Sequence, residues 1–262
     1  MSVLPEMDVT NRFVFDFAMR FARDNPGARI LDFGCGGGRL VKAGLDSGLA
    51  ISGADVFYSG SRARGEAERS GLLGTAIQEI HDGQIGFADS SFDLVVNNQV
   101  MEHVANLDAV LREIHRVLRS GGEVLSLFPS RDVFREGHIG IPFSHRLPKD
   151  SKLRFYYTWA LRGLGCGTWK EQAPTCRQWA VDKLWWIDTY TFYRSRGEIS
   201  RTFGRYFTSE ARELDYIRYR LLDRPGRRWL AGLLDFPAVP ILARALFRKL
   251  AFLVILSRKE AR

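Results

Sequence analysis

The run Ile30-Leu31-Asp32-Phe33-Gly34-Cys35-Gly36-Gly37-Gly38 limits the fold of this chain more than any other, because an apolar stretch empties into a glycine cluster. Such a run reads as a buried strand. The glycines let the backbone turn sharply and bring a ligand against it with no Cβ in the way. Dinucleotide enzymes use glycine loops too, but their fingerprint is G-x-G-x-x-G, with backbone N–H groups at a helix start holding a pyrophosphate. Here the core is Gly34-x-Gly36, and Asp32 stands two positions before it. A carboxylate there repels pyrophosphate and attracts an ammonium group, directly or through water, which favours a cofactor bearing an amino acid. The next apolar run ends Gly53-Ala54-Asp55-Val56. A carboxylate at that strand tip can accept both ribose hydroxyls of a nucleoside. Alone Asp55 also reads as a helix cap; with the loop it completes a nucleoside site.

Short apolar runs alternate with amphipathic stretches through the first half, the signature of βαβ units and a mostly parallel sheet. Phe13, Phe17 and Phe21 recur at helical spacing within a predicted helix over 11–24. Strands are predicted over 28–33, 50–56, 75–80, 92–97 and 123–128, with helices over 37–47, 61–69 and 107–119. Ser120-Gly121-Gly122 is expected to end the last of these helices, since glycine accepts the left-handed conformation a helix terminus favours. After Pro129 the alternation stops. Residues 131–186, rich in Gly, Pro, His and aromatics, are expected to lie over the carboxyl ends of the strands, where open α/β sheets bind ligands. Residues 187–207 read as helix, 213–222 as strand and 250–257 as a final strand. The expected organisation is therefore a core over 1–130, a substrate-covering insertion over 131–186, and a C-terminal completion of the sheet over 187–262.

Five segments in order resemble the class I S-adenosylmethionine-dependent methyltransferases. They are the glycine loop, Asp55, Phe87-Ala88-Asp89-Ser90-Ser91-Phe92-Asp93-Leu94-Val95-Val96, Val100-Met101-Glu102-His103-Val104, and Glu113 through Gly122. The resemblance covers roughly residues 28–130. It implies an α/β fold: a Rossmann-like, seven-stranded, mostly parallel sheet with helices on both faces, an antiparallel final pair and the insertion after strand five. It implies S-adenosyl-L-methionine as cofactor, with Asp32, Gly34, Cys35 and Gly36 around the methionine moiety. Asp55 and Val56 then meet the ribose and adenine edge, and Asn98 and Gln99 form the inner wall. Members of the family commonly carry an Asp after strand three near the adenine amino group; the sequence here reads His81-Asp82-Gly83-Gln84, and Asp82 is the candidate.

Methyl transfer from a sulfonium is an in-line displacement in which the nucleophile loses a proton, so positioning and a general base or metal divide the work. His103, just past strand four, is the first candidate base, with Glu102 and His138 as further catalytic candidates; the structural alternative for His103 is capping or packing. Ubiquinone-pathway O-methyltransferases and small-RNA 3′-end methyltransferases carry Glu-x-x-Glu-His here and hold a divalent metal. This chain reads Gln99-x-x-Glu102-His103. Loss of the first carboxylate weakens a hard-cation site, so no metal site is assigned, and a divalent metal is kept as the second reading, with His138 and His145 as completing ligands. Arg154, Tyr156, Tyr157, Trp159, Arg162 and Trp169 form either an acceptor-binding wall or a small core.

The net charge of +8 points to an anionic partner without choosing among nucleic acid, phospholipid and phosphorylated substrate. Residues 227–249 combine apolar and basic side chains but are too interrupted to span a bilayer, leaving peripheral membrane contact or core packing as readings. Three cysteines without metal or disulfide spacing, and an N-terminus showing no basic-then-apolar run, point to a cytoplasmic protein, with a peripheral place at the membrane open. The expected acceptor is a small molecule, glycan or lipid-linked compound, methylated at oxygen. RNA methylation is the alternative, although Asn97-Asn98-Gln99-Val100 stands where an amino-methylating Asn-Pro-Pro-Tyr motif would be. A non-catalytic S-adenosylmethionine-binding scaffold is the other, and a nicotinamide-dependent oxidoreductase is disfavoured by Asp32 and the glycine spacing.

Overall fold

The computed structural model describes residues 7–58 and 61–260. Met1 to Glu6, on which the expectation of no signal peptide rests, lie outside the described residues. Seven strands form one sheet in the order β3-β2-β1-β4-β5-β7-β6: β1 (Arg29–Phe33), β2 (Ala50–Asp55), β3 (Ile77–Glu79), β4 (Phe92–Asn98), β5 (Leu118–Phe128), β6 (Thr208–Ala211) and β7 (Leu253–Arg258). The first five run parallel, and β7 is antiparallel to both of its neighbours. Central strands are buried on both faces, which is why β1 and β4 are continuous apolar runs rather than alternating ones.

Helices α1 (Val9–Asp24), α2 (Arg39–Asp46) and α3 (Ala63–Arg69) belong to one face of the sheet, and α4 (Leu107–Val117) and α7 (Arg196–Phe203) to the other. Asp8 caps α1 by accepting from the Thr10 and Asn11 N–H groups. In α4 the spacing of Leu107, Leu111 and Ile114 turns one apolar stripe onto β5 and α7. Among the described residues no helix is long and apolar enough to cross a membrane.

Four expectations from the sequence are corrected. First, α4 stops at Val117, and Ser120-Gly121-Gly122 lies inside β5 instead of capping the helix. Pairing with the end of β7 wins there: the Gly121 N–H donates to the Lys259 carbonyl and the Lys259 N–H to the Gly122 carbonyl, each at 3.0 Å. Second, residues 213–222 form a helix, α8 (Glu213–Leu222), although their Tyr and Ile content suggests a strand; Glu213 and Tyr216, three apart, are its buried residues. The sixth strand is Thr208–Ala211. Third, the helix expected over 187–207 breaks at Thr191 and restarts at Arg196, where Ser195 and Glu198 form a reciprocal capping box.

Fourth, the segment after Pro129 carries two regular helices, α5 (Lys152–Gly163) and α6 (Cys176–Tyr190), the second running past the expected boundary at Trp186. Ile139, Ile141, Trp179, Ala180 and Ile187 give this segment a small core of its own. It rests on the sheet tips through a few contacts. The Tyr190 ring lies 5.3 Å from that of Tyr58, beyond β2, and the Phe192 N–H donates to the Glu102 carbonyl, beyond β4. A final helix, α9 (Val239–Leu250), enters the long connection between β6 and β7.

Candidate active site

The glycine loop leaves β1 at Gly34 with φ of 76°, and a Cβ there would stand 2.4 Å from Val100 Cγ2. Only glycine meets both demands. At Gly36 the backbone is again left-handed, but nothing lies within 4 Å of a notional Cβ, so the turn faces open space. Asp55 braces this turn. One carboxylate oxygen accepts the Gly36 N–H and the other the Phe57 N–H, both at 2.8 Å. Each oxygen keeps a lone pair for a further donor.

Asp32 is buried beside this turn, and its carboxyl is pushed up to about 7, first by burial and then by the negative charge of Asp55. Two acids in one crevice raise the cost of ionising both, and a cation placed between them removes that cost. Cys35 is half-buried, its thiol pushed up chiefly by burial. Val56 is exposed at the β2 tip. Asn98 donates through Nδ2 to Asn11 Oδ1 at 2.9 Å, tying α1 to the tip of β4, and its Oδ1 is buried without a hydrogen bond.

Beyond β4 the chain makes a short 3-10 turn over Met101–His103 that carries the second cluster. Glu102 is fully buried and neither of its carboxylate oxygens has a hydrogen-bond partner, so burial pushes its carboxyl up to about 8. The His103 Nδ1 lies 2.6 Å from the Tyr190 carbonyl. A carbonyl only accepts, so Nδ1 carries the proton and Nε2 keeps its lone pair. Burial lowers the pKa of this ring, keeping it neutral.

His138 reaches the same place from the insertion, its ring 5.1 Å from that of His103. Its Nδ1 lies 2.7 Å from Glu136 Oε1, and Glu136 also accepts from the Ile139 N–H and the Tyr193 hydroxyl. Burial is the largest single influence and works against charge on both partners. Their hydrogen bond and mutual attraction, with the help of Glu102 for His138 and of the Tyr193 hydroxyl and Ile139 N–H for Glu136, together outweigh it; His138 is shifted up and Glu136 down. The ligand atoms of Glu102, His103 and His138 lie within 4.8 Å of one another. Two histidines whose Nδ1 atoms are tied to a carbonyl and a carboxylate, beside an orphaned carboxylate, are a set of donors that could hold a cation with two histidines and one carboxylate.

The structure thus brings Glu102, His103 and His138 together, and Asp32, Gly34, Gly36 and Asp55 together. Gln99 stands apart from the cluster: it is exposed, at φ of 57°, and its backbone N–H donates to the Leu127 carbonyl. His145 also stays apart, facing the Arg131 carbonyl at 3.1 Å. Asp82 occupies an exposed turn after β3. The expected aromatic wall divides: Arg154 is buried against Asp188 and Tyr157 joins the insertion's core, while Tyr156, Trp159 and Trp169 are exposed. The sequence reading passes over three contributors. Glu136 has a faint signal, an acid two positions before His138; Tyr190 and Tyr193 have none. Beside His138 opens a cleft of about 770 Å³ lined also by Ile139, Thr168, Trp169, Lys183 and Trp186.

A parallel sheet with one antiparallel strand next to its edge, a glycine turn after β1 and an acid at the tip of β2 define the class I S-adenosylmethionine-dependent methyltransferase fold. Residues 31–126 match the family model described as a methyltransferase domain. The chain is similar to two ubiquinone biosynthesis O-methyltransferases. With that of Agrobacterium fabrum it is 30% identical over 116 residues, 44% of this chain and 46% of that protein. With that of Ruegeria pomeroyi it is 35% identical over 119 residues, 44% and 47% of the two chains. The match therefore spans about half the length of these curated relatives. Among solved structures, a S-adenosylmethionine-dependent methyltransferase from Mesorhizobium loti superposes with a TM-score of 0.51 at 19% identity, over 89% of this chain and 91% of that one.

Proposed function

We propose that this protein transfers the methyl group of S-adenosylmethionine to an oxygen of a small or lipid-linked acceptor held under the insertion. The observation carrying this reading is the buried, unpartnered carboxylate of Glu102, whose oxygens lie within 4.8 Å of ring nitrogens of His103 and His138. A hydroxyl ionises poorly near neutrality and must give up its proton as it attacks. Neutral His103, with Nδ1 fixed by Tyr190, offers Nε2 to take that proton. His138 is steadied by Glu136 on its far side, and Glu102 orients the hydroxyl.

In the crevice, Asp32 draws the cofactor's ammonium, Asp55 and Val56 take the ribose and adenine edge, and Gly34, Cys35 and Gly36 border the methionine moiety. Asn98 and Gln99 line the inner wall, and Asp82 is the candidate for the adenine amino group. The cluster's donor set also fits a divalent cation held by Glu102, His103 and His138. When bound, such an ion would lower the pKa of the acceptor hydroxyl. The metal is thus favoured more by the folded chain than by Gln99-x-x-Glu102-His103 alone.

The relatives' name, O-methylation in ubiquinone biosynthesis, and a cleft whose volume suits a ring-sized ligand support an aromatic or isoprenoid-like acceptor. The basic and apolar residues 227–249 agree with a lipid-linked one. The test is incubation with radiolabelled S-adenosylmethionine and fractionated extract, with and without prior dialysis against a chelator. Label in lipid or small-molecule pools, unchanged by the chelator, is expected if His103 is the base. Loss of label with the chelator would mean that Glu102, His103 and His138 hold a cation and that the His103 Nε2 lone pair is occupied by it. Label confined to RNA would favour the nucleic-acid alternative, and cofactor binding with no labelled product would leave a scaffold.

A further inference from the structure

Helix α9 is inside out. A surface helix normally turns its apolar stripe to the core and its charges to water. In α9 the inward positions are Arg244, Phe247 and Arg248. Arg248 donates to both oxygens of Glu213, at 2.7 and 3.1 Å, and Arg244 lies 3.7 Å from the same carboxylate, which is fully buried. Phe247 packs on Tyr216 and Phe252. The outward positions are Ile241, Leu242, Leu246 and Leu250, each 60–72% exposed. With its arginines spent on Glu213, the helix offers water a face of branched hydrocarbon.

The segment 225–235, packed against α9, exposes further large apolar side chains. Trp229 and Phe236, in the preceding 3-10 segment and its exit, are 70% and 60% exposed. Exposed apolar surface on this scale marks an interaction site. The same stretch of chain is basic: Arg224, Arg227, Arg228 and Lys249 are exposed in it. The two acids between 222 and 250, Asp223 and Asp235, are already paired with Arg12 and Arg218. This charge selects the occupant. A two-fold-related copy would lay the same positive charge against itself, whereas an anionic bilayer supplies the opposite charge and a hydrocarbon layer for the leucines, with tryptophan at the boundary.

We infer that residues 224–250 are a monotopic docking surface for an anionic phospholipid membrane. The surface is also wired to the chemistry. The Phe134 N–H donates to the Lys249 carbonyl at 2.6 Å, and the loop that follows, pinned by an isolated bridge between Arg135 and Pro142, carries Glu136 and His138. A docked α9 therefore holds the insertion's half of the cluster near the lipid surface. The lipid-linked acceptor rests on the proposed function, but docking itself does not.

The test is co-sedimentation of the full chain with vesicles of phosphatidylcholine alone or containing about a quarter phosphatidylglycerol. Partitioning about tenfold or more stronger on the anionic vesicles is expected, weakening at high salt. The double variant Leu242→Glu, Leu246→Glu should lose binding with its thermal midpoint unchanged, since both side chains point outward. Arg227→Glu with Arg228→Glu, which leaves the helix untouched, should erase the preference for the anionic vesicles. Wild-type protein that stays in the supernatant with both vesicles, or binds both equally, overturns the inference. So does a dimer in sedimentation equilibrium that Leu242→Glu dissolves, because the face would then meet a second copy. None of these readouts involves turnover, so inactive protein that binds vesicles would sink the proposed function alone.

Discussion

At the tips of β1 and β2, Asp32 and Asp55 stand at the two ends of one βαβ unit, and the Gly36 and Phe57 N–H groups already satisfy Asp55. At the tip of β4, Glu102 is buried with both oxygens unsatisfied and is met by groups from 136 to 193 in a different segment. The first region is finished by its own backbone and only gains from a cation; the second is an open valence that the fold leaves for something else to fill. An unsatisfied buried carboxylate costs stability, so its retention points to chemistry, whereas the braced acid points to recognition.

That contrast can be broken most directly at Glu102. Glu102→Gln should lower turnover by about a thousandfold while leaving the cofactor dissociation constant in calorimetry unchanged and the thermal midpoint equal or higher. Equal loss of binding would mean the two regions are one. Asp55→Ala should do the reverse, weakening cofactor binding about a hundredfold through lost charged hydrogen bonds with kcat at saturation little changed; unaltered affinity removes the ribose assignment.

Acidity sharpens the comparison further. Asp32 holds its proton up to about pH 7, and an ammonium needs it ionised, so below that pH binding must first expel the proton. Affinity should rise with pH to about 7 and then level, with a slope approaching tenfold per unit on the acidic side. Asp32→Asn should flatten the profile, and a wild-type profile flat across the same range refutes the pairing. The smallest effect separates the loops. Gly34→Ala, strained and pressed on Val100, should cost about 1–3 kcal/mol, read as a fall in thermal midpoint of several degrees. Gly137→Ala, at an ordinary φ with open space around it, should cost almost nothing.

The sheet was legible because a parallel core writes itself locally: buried strands are apolar runs, and the turn after β1 demands glycine. Asp32, Gly34, Gly36 and Asp55 come together for the same reason, the register of β1 on β2 being set by those runs. The cluster around Glu102 was legible in part. Glu102 and His103 follow β4 directly, but His138 arrives through a segment whose helices pack on a separate small core, and its partners Glu136 and Tyr193 are fixed by that packing. The errors late in the chain have one cause. Tyr and Ile in 213–222 favour a strand by propensity, yet the one residue that decides, Glu213, is buried to receive Arg248 from α9, a pairing between distant positions that no local pattern records.

One carbonyl has a double duty. Tyr190 is the last residue of α6, and its oxygen also dictates which nitrogen of His103 bears the proton. Lifting the end of that helix to admit or discharge a ligand would release the imidazole to rotate and change tautomer. If His103 is the base, as proposed, closure and competence would be interlocked, the imidazole being set in its proton-accepting tautomer only while the end of α6 lies over it.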